Sequence, residues 1–443
     1  MPNIKKRRLS SFQIIILGFA SIIFLGAIIL MLPQASASGE SIPFTDTIFT
    51  SASAVCVTGL VVRDTASTWS PFGQAVILCL IQIGGLGVIT IAVSFALLSG
   101  RKVSLRERSV MKEAISAPAV GGIVHLTGFI LKLTFLFELA GALLMMFPFV
   151  GKFGLRGIWL SVFHYISAFC NAGFDILGTQ ARPYVSLTYY SGNLIINLTI
   201  MGLIVLGGLG FLTWEDLVEH RWHFRRYRMQ SKVILITSFS LILLPALYFY
   251  YGEFNELPET ERWLGSLFQS VTTRTAGFNT ENLNQMSGPG QAIMILLMLI
   301  GGSPGSTAGG MKTTTFAVLL MNARAVFIRR PETRCFGRRL PDDVIKSAAT
   351  IFVMYLVLFF AGAWLISIKE SLPLGVCFYE TASAIGTVGL TLGITPSLGL
   401  FSRSILIMLM FFGRVGGLTL IYAAGSPDKT FVSRLPQENI SVG

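Results

Sequence analysis

Eight stretches of the chain are too long and too apolar for ordinary core helices, near residues 12 to 32, 70 to 98, 124 to 150, 190 to 214, 231 to 251, 289 to 327, 343 to 368 and 399 to 424. Roughly 20 apolar residues cross a bilayer. Lipid admits only backbone that satisfies its own hydrogen bonds, so these stretches read as transmembrane helices. Charged residues make up 13% of the chain, well below the ~25% of soluble domains. Lys5, Lys6, Arg7 and Arg8, with Ala35-Ser36-Ala37 downstream, imitate a secretory signal. The apolar region of a signal runs only ~7 to 15 residues, so Phe12 to Leu32 is read as a retained helix.

The net charge of +12 is spread in short basic stretches between apolar spans, which excludes a nucleic-acid face. Those stretches alternate. The N-terminal tail, residues 99 to 123, 215 to 232 and 321 to 346, and the tail after 425 hold 23 of the 34 Lys and Arg. The positive-inside rule then places both termini in the cytoplasm, in a multi-pass protein of the cell membrane. Cys56, Cys79, Cys170, Cys335 and Cys377 have no metal or redox spacing. GxSxG, HExxH and P-loop signatures are absent, so no enzyme, metal centre or covalent cofactor is expected.

Shorter apolar pieces near 44 to 58, 158 to 172, 263 to 276 and 373 to 387 superimpose without gaps: FTSASAVCVTGL (49 to 60), FHYISAFCNAGF (163 to 174), LFQSVTTRTAGF (267 to 278) and YETASAIGTVGL (379 to 390). Each is too short to span and reads as a re-entrant half-helix dipping in from outside. Each closes on a glycine: Gly59, Gly173, Gly277 or Gly389. Ten residues earlier stands Phe49, Phe163, Leu267 or Tyr379, and six earlier Ser53, Ser167, Val271 or Ser383. A second signature follows in the next helix: IGGLG (83 to 87), LGGLG (206 to 210), IGGSPG (300 to 305) and FGRVGG (412 to 417). Its glycines divide evenly between close helix packing and a role in the site. Four units of helix, half-helix, glycine turn and helix predict an all-α integral membrane protein, a pseudo-fourfold ring around one pore.

Glycine lets successive carbonyl oxygens aim at one point, and carbonyl rings that replace a hydration shell are the filter device of K⁺ channels. The expected filter is Val57-Thr58-Gly59, Asn171-Ala172-Gly173, Thr275-Ala276-Gly277 and Thr387-Val388-Gly389, with the ion at the carbonyls of Thr58, Ala172, Ala276 and Val388. Each half-helix ends just before its glycine, so the negative end of its dipole favours cations. No ring of acids flanks the filter, and Asp175 is the one acid expected near it. K⁺ is therefore expected first and Na⁺ second. A secondary transporter of an organic solute would show two inverted halves instead of four parallel units.

The four filter segments, TTRTAGFNT (272 to 280), SPGSTAGGMKTTT (303 to 315) and FFGRVGG (411 to 417) resemble the Trk/Ktr/HKT superfamily of K⁺ transporters, most of all its KtrB/TrkH branch, over residues 10 to 425. Two helices of TrkH-type members are missing before Phe12, which points to the KtrB type. The resemblance implies four M1-P-M2 repeats with eight transmembrane helices and four pore half-helices. The repeats would occupy 12–98, 124–214, 231–327 and 343–424, with cytosolic tails at 1–11 and 425–443. It also implies K⁺ uptake with Na⁺ coupling left open, a homodimer, and a separate cytosolic nucleotide-binding subunit, KtrA/TrkA-like.

The stretch from Pro289 to Phe327 is twice the length of one span and is interrupted by Gly301-Gly302-Ser303-Pro304-Gly305-Ser306-Thr307-Ala308-Gly309-Gly310. This loop is read as an intramembrane gate, as the resemblance also implies. Arg414 lies within an apolar helix, where a cation costs ~2.5 kcal/mol or more unless paired or wetted, so loop carbonyls or hydroxyls are its expected partners. Lys312 either shares that task or snorkels to the boundary; Lys132 snorkels. Arg274 is expected to brace the filter from behind, with Glu380 as its neutralising partner. Glu138 and His164 are read as structural. The six arginines Arg324, Arg329, Arg330, Arg334, Arg338 and Arg339 fit both a cytosolic partner and anionic membrane lipid.

Overall fold

The computed structural model describes residues 10–88, 90–93, 103–115, 121–417, 419 and 422. The expectations for most of the N-terminal tail, for the end of the first repeat at 94–98 and for the C-terminal tail 425–443 lie outside the described residues. The chain is mostly helical. Four continuous helices, Ser11–Leu30, Ile123–Phe153, Met229–Gly252 and Asp342–Glu370, are long and apolar enough to cross a membrane. Their outer faces expose Phe24, Phe147, Phe239 and Trp364, the pattern of a surface solvated by lipid rather than water.

One short helix follows each of them in the chain: Phe44–Val55, Arg156–Phe169, Glu259–Thr272 and Leu374–Gly386, of 12, 14, 14 and 13 residues. At 1.5 Å per residue each is ~20 Å long, short of the ~30 Å core. Prolines at 43, 258 and 373 start three of them. Each short helix is followed by a second apolar helix: Pro71–Leu86, Leu194–Gly208, Gly288–Leu299 and Leu400–Val415. Ser70, Asn193 and Ser287 cap the first three of these, each accepting an amide from the opening turn.

Unbroken spans over 70–98, 190–214 and 399–424 are not what forms. Each stops at its glycine signature, because Gly87, Gly210 and Gly416 hold φ of 88°, 92° and 87°, a region other residues rarely enter. Past Gly210 the helix Phe211–His220 leaves at 100° to its predecessor. The first glycine of each signature packs instead. A Cβ on Gly84, Gly207 or Gly413 would overlap the carbonyl oxygen of Val55, Phe169 or Ile385, near the end of a short helix. Packing and chain breaking thus fall to different glycines of one motif.

Each second helix packs on the short helix of the next unit: Pro71–Leu86 on Arg156–Phe169, Leu194–Gly208 on Glu259–Thr272, Gly288–Leu299 on Leu374–Gly386. The fourth, Leu400–Val415, returns to the first short helix, Phe44–Val55. Side chains mark the seams. Trp159 donates to Gln74 at 2.9 Å. Asp46, in the first turn of its helix, takes Arg403 at 2.8 Å and Arg63 at 2.6 Å.

Candidate permeation site

Four turns follow the four short helices, and their backbones share one pattern. Val57, Asn171, Thr275 and Thr387 hold φ of 56°, 59°, 65° and 51°, and the glycines two residues on hold 92°, 68°, 81° and 95°. Three of those non-glycine residues are β-branched, for which this region is a genuine outlier costing ~1–3 kcal/mol each. An extended chain alternates its carbonyls to opposite sides; a left-handed residue at every second position turns them to one side. Side chains lock two of the turns from behind, where Ser53 and Ser383 accept the amides of Gly59 and Gly389 at 3.0 and 2.9 Å. In the other two, Ser167 donates to the Phe174 carbonyl at 2.8 Å and Thr272 to that of Phe278 at 2.6 Å.

The glycines meet in a closed cycle. A Cβ on Gly59 would overlap the Ala172 oxygen, on Gly173 that of Ala276, on Gly277 that of Val388, and on Gly389 that of Thr58. These are the four carbonyls expected from sequence to hold an ion, brought together from four segments. The hydroxyls of Thr58, Thr275 and Thr387 are buried and have no hydrogen-bond partner among the described residues, which makes them oxygens available to a cation or its water.

The gapless alignment fails in the third unit. There Phe268 is fully buried in place of the half-buried Leu267, and Thr272, not Val271, carries the brace. The Ala276 amide bonds four residues back, to Thr272, whereas Thr58, Ala172 and Val388 bond five back. One residue fewer separates this brace from its glycine, so the matching side chains shift by one.

Two cavities flank the cycle. The outer one, about 380 Å³, is lined by all four glycines and by Asp64, Asp175 and Asn279. Asp64 was not expected there, and its five-residue offset from Gly59 has no counterpart in the other units. It accepts from the Ser67 amide at 2.9 Å and the Tyr184 amide at 2.9 Å. Burial and the nearby Asp64 push the Asp175 carboxyl, in the outer loop, up to about 7. The inner cavity, about 210 Å³, is lined by Gly305, Ser306, Ala308, Gly310, Lys312 and Arg414 among others.

The expected gate residues converge on that inner side. The 301 to 310 loop crosses to the second unit, where Ser303 and Thr307 amides bond the Gly208 and Gly207 carbonyls at 3.0 and 3.2 Å. Thr307 also donates to Phe169 and Asn171, at 3.0 and 3.2 Å, while Asn171 reaches the Arg274 carbonyl at 3.1 Å. Gly302 pairs with Gly309, and Gly301 with Met311, across the loop. Pro304 approaches Gly210, and Gly310 bonds the Gly413 carbonyl at 3.1 Å. Arg414 donates to the carbonyls of Thr307, Gly84 and Gly85, tying the fourth unit to the loop and to the first unit. Lys312 donates to the Ala308 carbonyl at 2.8 Å, so its ammonium points to the loop and not to a membrane boundary.

The expected Arg274–Glu380 pair does not form. Glu380, fully buried, accepts from Thr391 at 2.7 Å and from Thr395, both on the segment beyond its own glycine, where short local hydroxyls satisfy the carboxylate. Arg274 is buried, with one guanidinium nitrogen unpaired. Glu138 accepts from Gln82 at 2.7 Å and His164 bonds the Leu160 carbonyl at 2.7 Å, as structural groups do.

A family model described as TrkH, cation transport protein, matches residues 2–434. The chain belongs to the TrkH family. The potassium/sodium uptake protein NtpJ of Enterococcus hirae is 38% identical over the whole of both chains. The Ktr system potassium uptake protein B of Bacillus subtilis is 36% identical, over 99% of this chain and 98% of that one. In fold, the crystal structure of the potassium transporter TrkH from Vibrio parahaemolyticus superposes with a TM-score of 0.74 at 19% identity, over 95% of this chain and 86% of that chain. This member of the family is therefore a multi-pass membrane transporter and not an enzyme.

Proposed function

We propose that the chain takes up K⁺ across the cell membrane through a pore on the axis of four M1-P-M2 repeats. The observation that carries this reading is the cycle in which each of Gly59, Gly173, Gly277 and Gly389 faces the carbonyl of the next unit. Carbonyls gathered in one ring replace the hydration shell of a monovalent cation, and the strained residues before them hold the oxygens in place. The names of the two similar uptake proteins support K⁺ as the ion, with Na⁺ coupled or excluded. The 301 to 310 loop acts as the gate and Arg414 as its electrostatic latch: a cation crossing the inner cavity meets a fixed guanidinium, and opening requires Arg414 to leave Thr307. Lys/Arg asymmetry puts both termini in the cytoplasm. The chain works as a homodimer, with a cytosolic nucleotide-binding subunit on its basic loops pulling on Thr313–Phe327, the helix that leaves the gate. Ion-flux selectivity of the purified chain in vesicles tests the reading. K⁺ flux at least several-fold above Na⁺ flux is expected, and equal flux would overturn it. For the partner, nucleotide-dependent K⁺ flux is expected only when the cytosolic subunit is bound, and a full response from the chain alone would overturn that part.

A further inference from the structure

A third cavity, of about 550 Å³, opens among the first turns of Met229–Gly252 and Asp342–Glu370, which adjoin the basic loops, and the first half of Thr313–Phe327. It is separate from the filter and shares only Thr315 and Ile351 with the inner cavity. Its wall is mostly apolar, with Val233, Val318, Leu340, Ala348 and Ile351, and its size falls within the range of small-molecule sites. The deep end reaches Pro304, in the gate loop, and Thr315, in the first turn of the helix leaving that loop. From Pro341 at the mouth to Ile351 the helix rises ~15 Å, half of a ~30 Å hydrocarbon core. That is the depth of one leaflet.

The mouth is edged by a hairpin in which Arg334 pairs with Arg339 and Cys335 with Arg338. Cross-strand partners share a face. Cys335 lines the cavity, so Arg338 stands on the cavity side. Arg334 and Arg339 stand on the other face, and both bind Glu332 at 3.1 Å. Among the described residues Arg338 is exposed and has no ion pair. Phe336, at the turn, is also exposed and lies under the Lys232 ammonium.

An apolar slot one leaflet deep, with an unpaired guanidinium at its rim, has the shape and charge of a lipid site. We propose that an anionic phospholipid of the leaflet facing the basic loops seats one acyl chain in this cavity and its phosphate on Arg338. With the slot filled beside Pro304 and Thr315, the lipid restrains the 301 to 310 loop. The second half of this proposal rests on the loop being the gate, so binding and flux are read separately.

The test uses the full chain with Cys79→Ala, which removes an exposed thiol and leaves Cys335 as the accessible one, since Cys56, Cys170 and Cys377 are buried. It is placed in nanodiscs of phosphatidylcholine with or without phosphatidylglycerol. Phosphatidylglycerol is expected to slow maleimide labelling of Cys335 about fivefold, the effect of one basic residue at an anionic surface, with retained lipid read by native mass spectrometry. Arg338→Gln should erase the difference between the lipids, and Ser347→Phe, which fills the slot, should abolish retention. Equal labelling in both lipids, or protection that survives both variants, would overturn the site. Protection that appears only with an added cytosolic subunit would assign the slot to protein and overturn it too. In vesicles, K⁺ flux should depend on phosphatidylglycerol in the parent chain and not in Arg338→Gln; protection without such dependence would overturn the restraint on the loop.

Discussion

The third unit and the other three reach the same glycine cycle by different local means. Units one, two and four brace their turns with a serine six residues before the glycine and break the next helix at one left-handed glycine. Unit three braces with Thr272, five before, and replaces the break with a loop that touches units two and four. The four glycines are held equal, while the structure below them is not. On the proposed reading, selection needs all four carbonyls at one radius, whereas opening and closing need a single movable piece.

The largest test of this contrast concerns the part that is equal. Gly59→Ser and Gly277→Ser each force a side chain into a neighbouring carbonyl at positive φ. At ~1–3 kcal/mol of strain each should cut K⁺ over Na⁺ discrimination by about 5- to 150-fold, measured as flux ratios. Wild-type selectivity in either variant would remove the cycle as the selecting element. Next comes the part that is unequal. Arg414→Ala, or a shortened 303 to 309 loop, should raise K⁺ flux about tenfold by removing a cation several ångströms from the path, with selectivity unchanged; loss of selectivity instead would merge gate with filter.

A smaller effect sharpens the register shift. Thr272→Val deletes a buried hydrogen bond worth ~1 kcal/mol and should raise Na⁺ leak about fivefold, as Ser167→Ala should, whereas Val271→Ser should change little. A strong effect at Val271 would restore the gapless register. The smallest effect lies in the outer cavity. The Asp175 carboxyl sits up at about 7, above its ordinary 3.8, so it is charged at pH 8 and protonated at pH 6. Its pull on cations fades as external pH falls, and the K⁺ concentration for half-maximal uptake should rise about twofold in salt. Asp64 acts on Asp175, Tyr184 binds Asp64, and Arg63 and Arg403 lie near Tyr184, so Asp175→Asn is the control that should flatten the profile.

What was legible in the sequence was what repeats. Gly59, Gly173, Gly277 and Gly389 and the carbonyls before them could be placed because four copies of one requirement leave four copies of one residue. The interrupted span at 301 to 310 was readable from its length, and Arg414 from the cost of a cation in lipid. The Arg274–Glu380 pairing was not, because Glu380 finds its partners eleven and fifteen residues along its own chain, and hydroxyls at that offset carry no marker. Asp64 was invisible for a similar reason: its place follows from the fold of one loop. The register shift in unit three was hidden by the alignment itself, which anchors on the glycine and carries any missing residue into the helix behind it.

The return of Leu400–Val415 to Phe44–Val55, fastened by Arg403 on Asp46 across 357 residues of sequence, has a consequence for synthesis. The first unit enters the membrane long before its closing neighbour exists, so the turn at Val57 to Gly59 stays without its final wall until the last helix emerges from the ribosome. Exposed backbone at that depth is costly, and a contact of such long range forms late. A nascent chain halted after the third unit is thus the state that insertion factors must shelter and quality-control proteases would cut. Mutations at the Asp46 seam should therefore lower the amount of protein in the membrane before they alter what it conducts.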